Sequence, residues 1–484
     1  MKRLTTLIFC CAFLTLSAIA GNGTWKSTAL NAGIRYTTTE AKTPARDGSG
    51  KFMTIVYLEN LACEKVGGNS NREDVDWLLR QGYRVIELDY ANDKNAVSPN
   101  INKDIIAVNA EMRSGTFCGC TDISQDRAYI LFEGYRILRD VSYYLDDKEV
   151  YNMAAANDSL YMDIVYPANP AKPVPVILSF SYSNSYYGNT HKRMFLPYHW
   201  AAFNDSFVEG APAVGCAWAI ADHPKYCDWG NGKYKGGANK SLGSIEIADD
   251  AARKVRSAIR TVRGVGKTIG LGHDVAIYGF SRGSTAGSLA IGDKPFEEWT
   301  AAGRGRFQEE SSDVQAAFLG PGVFDYSLMR KDSREYNNMN AYCNSTADPK
   351  ATWGRQGGAL SVGSGSGTAP TFLFYNSDDD ANYGIQATNL TGIFRDRNVT
   401  FELLKDYGTG HSVPQSPEHL RRMYDFLIRH TSHSTGISAA DDGTDSRNYD
   451  NGQGIYSLNG TQLSNTLDSL PHGIYIAQGR KIIK

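Results

Sequence analysis

The feature that most constrains this chain is the junction Tyr278-Gly279-Phe280-Ser281-Arg282-Gly283-Ser284. Before it, Asp274-Val275-Ala276-Ile277-Tyr278 is apolar and β-prone. After it, Ser284-Thr285-Ala286-Gly287-Ser288-Leu289-Ala290 is built mostly of small residues that can start a closely packed helix. A strand that becomes a helix over so few residues must reverse its backbone sharply. The two glycines of G-x-S-x-G remove the side chains that would collide at that reversal. A serine on such a turn is held in a strained conformation with its hydroxyl exposed. Glycine and serine are common, so the pentapeptide alone also fits a turn with no chemistry. The strand before it and the helix after it favour a nucleophile at Ser281, and so acyl-transfer chemistry.

The junction lies inside a long alternation of strand and helix patterns. Tyr161 to Pro167 alternates like an edge strand, while Val174 to Phe180 and Ala213 to Ile220 read as buried strands. Ala248, Ala252, Val255, Ile259 and Val262 recur at steps of four and three, which is one face of a helix. Strand patterns follow at Ala316 to Leu319, Thr371 to Phe374 and Thr400 to Leu404. Ser416 caps, and Pro417 opens, a last helix with Leu420, Met423, Tyr424, Leu427 and Ile428 on its apolar face. Such alternation predicts an α/β fold: a mostly parallel sheet covered by helices on both faces.

Residues 155–432 form the expected catalytic domain. Ahead of it, 21–150 is an N-terminal extension with a strand-helix-strand unit. Its strands are Met53 to Leu58 and Tyr83 to Leu88; Asn71 caps the helix Arg72 to Gln81 and Gly82 ends it. The stretch 91–150 reads as irregular apart from a strand-like Tyr129 to Phe132. Behind the main domain, 433–453 is rich in Ser, Asp, Gly and Asn and reads as a linker. Residues 454–484 hold two short strand-like units and a basic end, Gly479-Arg480-Lys481-Ile482-Ile483-Lys484.

With a net charge of −2, nothing in the composition points to nucleic acid or an anionic membrane as a partner. Lys2 and Arg3, the apolar run Leu4 to Leu16 and Ala18-Ile19-Ala20 together read as a signal peptide over 1–20. The run is too short for a membrane span, so a secreted or periplasmic chain is expected. Outside the leader lie Cys63, Cys118, Cys120, Cys216, Cys227 and Cys343, some of which should pair in an oxidising compartment. Cys216 and Cys227 flank a short loop and are the best candidates. Cys118-Gly119-Cys120 lacks a second pair at metal-ligand spacing, so structural cysteines are expected, with no metal and no cofactor.

A serine hydroxyl needs a base to take its proton and an acid to orient that base. Asp378-Asp379-Asp380 follows the strand Thr371 to Tyr375, and His411 follows the strand ending near Leu404 in Tyr407-Gly408-Thr409-Gly410-His411-Ser412. Counted from the strand as in the α/β-hydrolases that this arrangement resembles, Asp379 falls at the acid position. Asp378 and Asp380 stay open, because one residue of register decides.

On these motifs, residues from roughly 159 to 432 resemble the α/β-hydrolase superfamily, nearest to secreted esterases of the feruloyl and acetyl-xylan esterase type. The resemblance implies Ser281 as nucleophile, His411 as base and Asp379 as acid. It also implies an oxyanion hole from the Arg282 backbone N–H and a second donor near Tyr182. Many relatives carry His-Gly-Gly-Gly at the latter place; this chain has Ser181-Tyr182-Ser183-Asn184. The Arg282 guanidinium fits either a substrate contact or a structural ion pair. Tyr182 and Trp229, with Trp218, Tyr226 and Tyr234 nearby, are the candidate substrate-binding aromatics, and packing explains them equally well. The implied substrate is a small-molecule or polysaccharide ester, acetylated or feruloylated. A serine peptidase of the same fold and a non-catalytic glycan-binding scaffold remain as alternatives. The last thirty or so residues resemble the C-terminal sorting-type β segments of secreted proteins from Bacteroidota. That implies outer-membrane export machinery as a partner and a cell-surface location.

Overall fold

The structure is a computed structural model. It describes residues 18–61, 71–96, 98–144, 160–168, 170, 173–180, 216–222, 224, 247–292, 305–333, 336 and 357–431, with short strands between 455 and 483. The chain divides into two units, residues 1–63 with 71–131, and residues 64–70 with 132–484.

The first unit is built on a five-stranded sheet in the order β1-β2-β4-β3-β5. Its elements are β1 (Ala18–Ser27), β2 (Ala32–Glu40), β3 (Phe52–Glu59), α1 (Asn71–Arg80), β4 (Arg84–Asp89), α2 (Ser98–Arg113) and β5 (Ile123–Phe132). The strand-helix-strand unit expected from the sequence is β3-α1-β4, with its strands parallel. The stretch 91–150, expected to be irregular apart from a strand at Tyr129 to Phe132, contains α2 and a β5 that starts earlier, at Ile123. Helix α2 escapes the hydrophobic pattern because its buried face mixes Ile101, Ile105, Val108 and Met112 with Asp104 and Asn109. Asp104 is satisfied there by Ser27 Oγ at 2.7 Å and Tyr90 OH at 3.2 Å.

The second unit carries an eight-stranded sheet in the order β13-β12-β11-β10-β8-β9-β7-β6. Its strands are β6 (Tyr135–Tyr144), β7 (Leu160–Pro167), β8 (Val174–Phe180), β9 (Ala217–Ala221), β10 (Leu271–Gly279), β11 (Ala316–Leu319), β12 (Thr371–Tyr375) and β13 (Phe401–Lys405). From β13 to β9 every neighbour is parallel; β7 and β6 then add antiparallel pairs, and β7, expected as an edge strand, lies inside β6, which takes the edge. The sheet therefore begins in the stretch read as irregular. Register shifts at Leu138/Val141 and Ser142/Tyr144 break the alternation of β6, so no period of two shows in its sequence.

The helices of this unit are α3 (Ile247–Gly266), α4 (Arg282–Ser288), α5 (Ala381–Asp396) and α6 (Pro417–Thr431). Ala252, Val255, Ile259 and Val262 of α3 are buried, as their spacing predicts. Ser416 caps α6, its Oγ accepting from the His419 N–H at 3.2 Å, and Met423 and Leu427 are buried. Between β12 and β13 the sequence pattern did not mark α5. The central strands are continuous apolar runs, Val275 to Tyr278 and Ala316 to Leu319 being fully buried, as parallel strands require. Trp218, expected near a cleft, sits on β9 at 5% exposure, and its indole N–H donates to Ser179 Oγ at 2.8 Å. It is a core residue.

Beyond α6, β14 (Ile455–Tyr456), β15 (Gln462–Ser464), β16 (Ile474–Ala477) and β17 (Arg480–Ile483) form a four-stranded antiparallel sheet. Arg480–Ile483, in the basic end, form β17. No helix among the described residues is long and apolar enough to cross a membrane.

Candidate active site

Because β8 and β10 to β13 run parallel, their carboxyl ends share one edge of the sheet, where ligands bind in open α/β folds. Gly279 closes β10 in register with Phe180 of β8 and Leu319 of β11, and Tyr375 closes β12 beside Lys405 of β13. Ser281, the aspartate triplet and His411 each follow one of these ends.

Ser281 has φ 55° and ψ −120°. A non-glycine residue at such a φ is strained and persists only where its surroundings over-determine it. Here the over-determination is visible. A Cβ at Gly279 would overlap the Gly283 carbonyl, and one at Gly283 would overlap the carbonyl oxygen of Phe180. The Ser281 carbonyl already accepts from Ser284 N–H at 3.1 Å and Thr285 N–H at 3.2 Å, which begins α4. Ser284 Oγ donates to the Gly320 carbonyl at 2.9 Å, tying the turn to the loop after β11. Ser281 and Arg282 are both half-buried.

The three aspartates have three different tasks. Asp379 Oδ2 lies 2.7 Å from His411 Nδ1, and its side chain is only 7% exposed. Its Oδ1 accepts from the Asp380 backbone N–H at 2.7 Å, so both carboxylate oxygens are engaged. Asp380 is the N-cap of α5, its side chain accepting from Asn382 N–H at 2.8 Å. Asp378 Oδ1 accepts from Gly410 N–H at 2.8 Å and so braces the loop that carries His411.

Asn376, 2% exposed, stands at the start of this turn and its carbonyl accepts from Asp379 N–H at 3.2 Å. Its side chain reaches across to the 408–412 loop. Gly410, with φ 57°, gives that loop its left-handed step before His411. The imidazole also meets two rings: Phe280 at 4.7 Å between centroids, and Tyr383 of α5 at 5.1 Å and 25° between planes. Phe280 is the residue before Ser281, so the His411 ring lies against the turn. Sequence reasoning missed Tyr383 and Asn376. The unmarked helix α5 hid the first, and an asparagine in a turn is too ordinary to signal the second.

Tyr182 and Trp229, the expected oxyanion and substrate residues, lie outside the described residues, as does Cys227. Cys216 is buried. Cys118 and Cys120 are half-buried thiols in a tight hairpin, and burial pushes both above the ordinary thiol range. Among the described residues no three His, Cys, Asp or Glu side chains gather as a metal site.

No protein-family model matches the chain, and no curated protein matches it. Among solved structures it is similar to a truncated carbohydrate esterase from gut microbiota, at 16% identity and a TM-score of 0.43, covering 64% of this chain and 99% of that one. It is similar to a thermophilic esterase from the planctomycete Thermogutta terrifontis, at 17% identity and a TM-score of 0.41, covering 61% and 91%. Esterase B from Lactobacillus rhamnosis gives 14% identity and a TM-score of 0.42, covering 63% and 87%.

Proposed function

We propose that this chain is an exported serine esterase of the α/β-hydrolase type. The observation that carries the reading is the conjunction at one sheet edge: a strained Ser281 on a strand-to-helix turn, and His411 hydrogen-bonded to Asp379 at 2.7 Å. Asp379 accepts from the Nδ1–H of His411, which leaves Nε2 as the basic nitrogen. His411 Nε2 takes the Ser281 proton as Oγ attacks the ester carbonyl. The proton is then delivered to the leaving alcohol, and water attacks the acyl-enzyme by the same route. The Arg282 backbone N–H is one donor to the developing oxyanion. The second comes from the loop after β8, around Tyr182. No step calls for a metal or a cofactor.

The substrate part of the proposal is an acetyl or feruloyl ester of plant polysaccharide, with Tyr182 and Trp229 as stacking contacts. It rests on the resemblance of the sequence and on the aromatic residues of the segments that follow β8 and β9 in the chain. Export rests on the leader over 1–20 and the sorting-type segment over 454–484. After cleavage before Gly21, β1 still pairs with β2 from Gly21↔Thr38 to Ser27↔Ala32. The domain assignment follows, with 155–432 as the catalytic domain, joined at its edge by β6.

The test is hydrolysis of p-nitrophenyl acetate, methyl ferulate and a peptide nitroanilide by the mature protein and by Ser281→Ala. Serine-dependent cleavage of the acetate or ferulate is expected. Full activity in Ser281→Ala sinks the serine mechanism, and cleavage of the peptide alone makes the chain a peptidase.

A further inference from the structure

Asn376 makes more use of its side chain than a turn requires. Its Oδ1 accepts from Gly408 N–H at 2.9 Å. Its Nδ2 donates to the Gly410 carbonyl at 2.9 Å and to Ser412 Oγ at 3.1 Å. An amide side chain has two donors and one acceptor oxygen, so both donors are spent on one loop. Gly410, the residue directly before His411, is held at both ends: its carbonyl by Asn376 and its N–H by Asp378. Ser412, directly after His411, is held by Asn376 through its Oγ, which also donates to the Thr409 carbonyl at 2.9 Å. Tyr407 OH adds a bond to the Ser412 carbonyl at 2.5 Å. Asn376 also opens the turn that presents Asp379, through its own carbonyl. One buried residue thus holds the backbone before His411, the hydroxyl of the residue after it, and the turn carrying the carboxylate that His411 bonds.

We propose that Asn376 is the positioning residue of the His411–Asp379 pair: it sets the distance and angle at which the imidazole meets its carboxylate. The inference rests on the reading of Ser281, His411 and Asp379 as the catalytic groups. Asn376 touches neither substrate nor the reacting atoms, and it acts only through the 408–412 loop. A misplacement of about 1 Å in a catalytic group can cost about 100-fold in rate. Removing the three bonds should therefore reduce kcat and spare KM, because no substrate contact is lost.

The experiment measures kcat, KM and Tm on p-nitrophenyl acetate for wild type, Asn376→Ala, Asn376→Asp, His411→Ala and Asn376→Ala/His411→Ala. Asn376→Asp keeps the shape and the acceptor for Gly408 N–H while setting a carboxylate oxygen against the Gly410 carbonyl, so it breaks the same contacts without leaving a cavity. The expected result is a kcat loss of about 10- to 100-fold in either Asn376 variant, with KM within about twofold. In the His411→Ala background the same change should cost nothing further, since groups that act as a unit are non-additive. Two results overturn the proposal: a folded Asn376→Asp within twofold of wild-type kcat, or an equal loss in both backgrounds. Neither result touches the parent reading. That reading falls if His411→Ala or Ser281→Ala keeps wild-type activity.

Discussion

Asp379→Asn isolates the orientation of the imidazole from everything else the acidic turn does. In the proposed mechanism the carboxylate oxygen 2.7 Å from His411 Nδ1 accepts, and so keeps the proton on Nδ1. An asparagine in the same place can turn its amide donor towards Nδ1. That stabilises the tautomer with the proton on Nε2, where the nitrogen cannot take a proton from Ser281. Loss of the orienting carboxylate in a Ser-His-Asp arrangement costs about 10,000-fold in kcat. At 1.36 kcal/mol per tenfold, that is about 5.4 kcal/mol of transition-state stabilisation.

The neighbours supply internal controls of known size. Asp380→Ala removes the N-cap of α5, worth about 1 kcal/mol, and should lower Tm by about 2–4 °C with kcat near wild type. Asp378→Ala removes one exposed bond to Gly410 N–H, worth about 1 kcal/mol, which bounds its kcat loss at about fivefold. The assay is kcat on p-nitrophenyl acetate beside a thermal melt for each variant. The reasoning is refuted if Asp379→Asn falls within tenfold of wild type, or if either neighbour gives the largest loss.

Gly283→Ala should cost about 1–3 kcal/mol and several degrees of Tm, because its Cβ would meet the backbone carbonyl of Phe180, which cannot swing aside. A melting curve unchanged from wild type would show that the turn has slack. Tyr383→Ala removes the ring stacked on His411 at 5.1 Å; a ring pair is worth about 0.5–1.5 kcal/mol, so kcat should fall by about 2- to 10-fold with the fold intact. An unchanged kcat would make the contact incidental. His430, packed 4.5 Å from the Phe426 ring, has its pKa pushed below the ordinary histidine value by burial, with Arg429 adding to it. The unfolded chain then binds the extra proton more readily than the fold does. Its contribution to stability is present above about pH 6.5 and is lost as pH falls below that. Between pH 7.5 and 5.5, Tm should fall more in wild type than in His430→Gln; equal slopes would refute the assignment.

The parts of the fold that show in the sequence are those where one physical rule acts alone. Val275 to Tyr278 and Ala316 to Leu319 are buried strands of a parallel sheet, and burial writes itself as an unbroken apolar run. The caps of α6 and the stripe of α3 are equally local. Where two demands meet at one position the pattern fails. Asp104 is buried in α2 because Ser27 and Tyr90 satisfy it, and neither partner is close in sequence. Asp140, with φ 54°, sits in the bulged part of β6, where the alternation loses its phase.

The acidic triplet shows the same limit at the site. Asp378, Asp379 and Asp380 are chemically identical, and counting from the strand end only ranks them. What separates them is the turn in which Asn376 accepts from Asp379, with the Asp379 side chain 7% exposed and its neighbours open to solvent. Asn376 itself is the extreme case. Read along the chain it is an ordinary turn residue. Its side-chain partners lie 32 to 36 residues away, on a loop that meets it only because β12 and β13 run side by side. A positioning residue of this kind is defined by a distance across two strand ends. Local chemistry alone cannot announce it, and the kcat loss of Asn376→Asp, absent in the His411→Ala background for the alanine change, is the measurement that gives it a function.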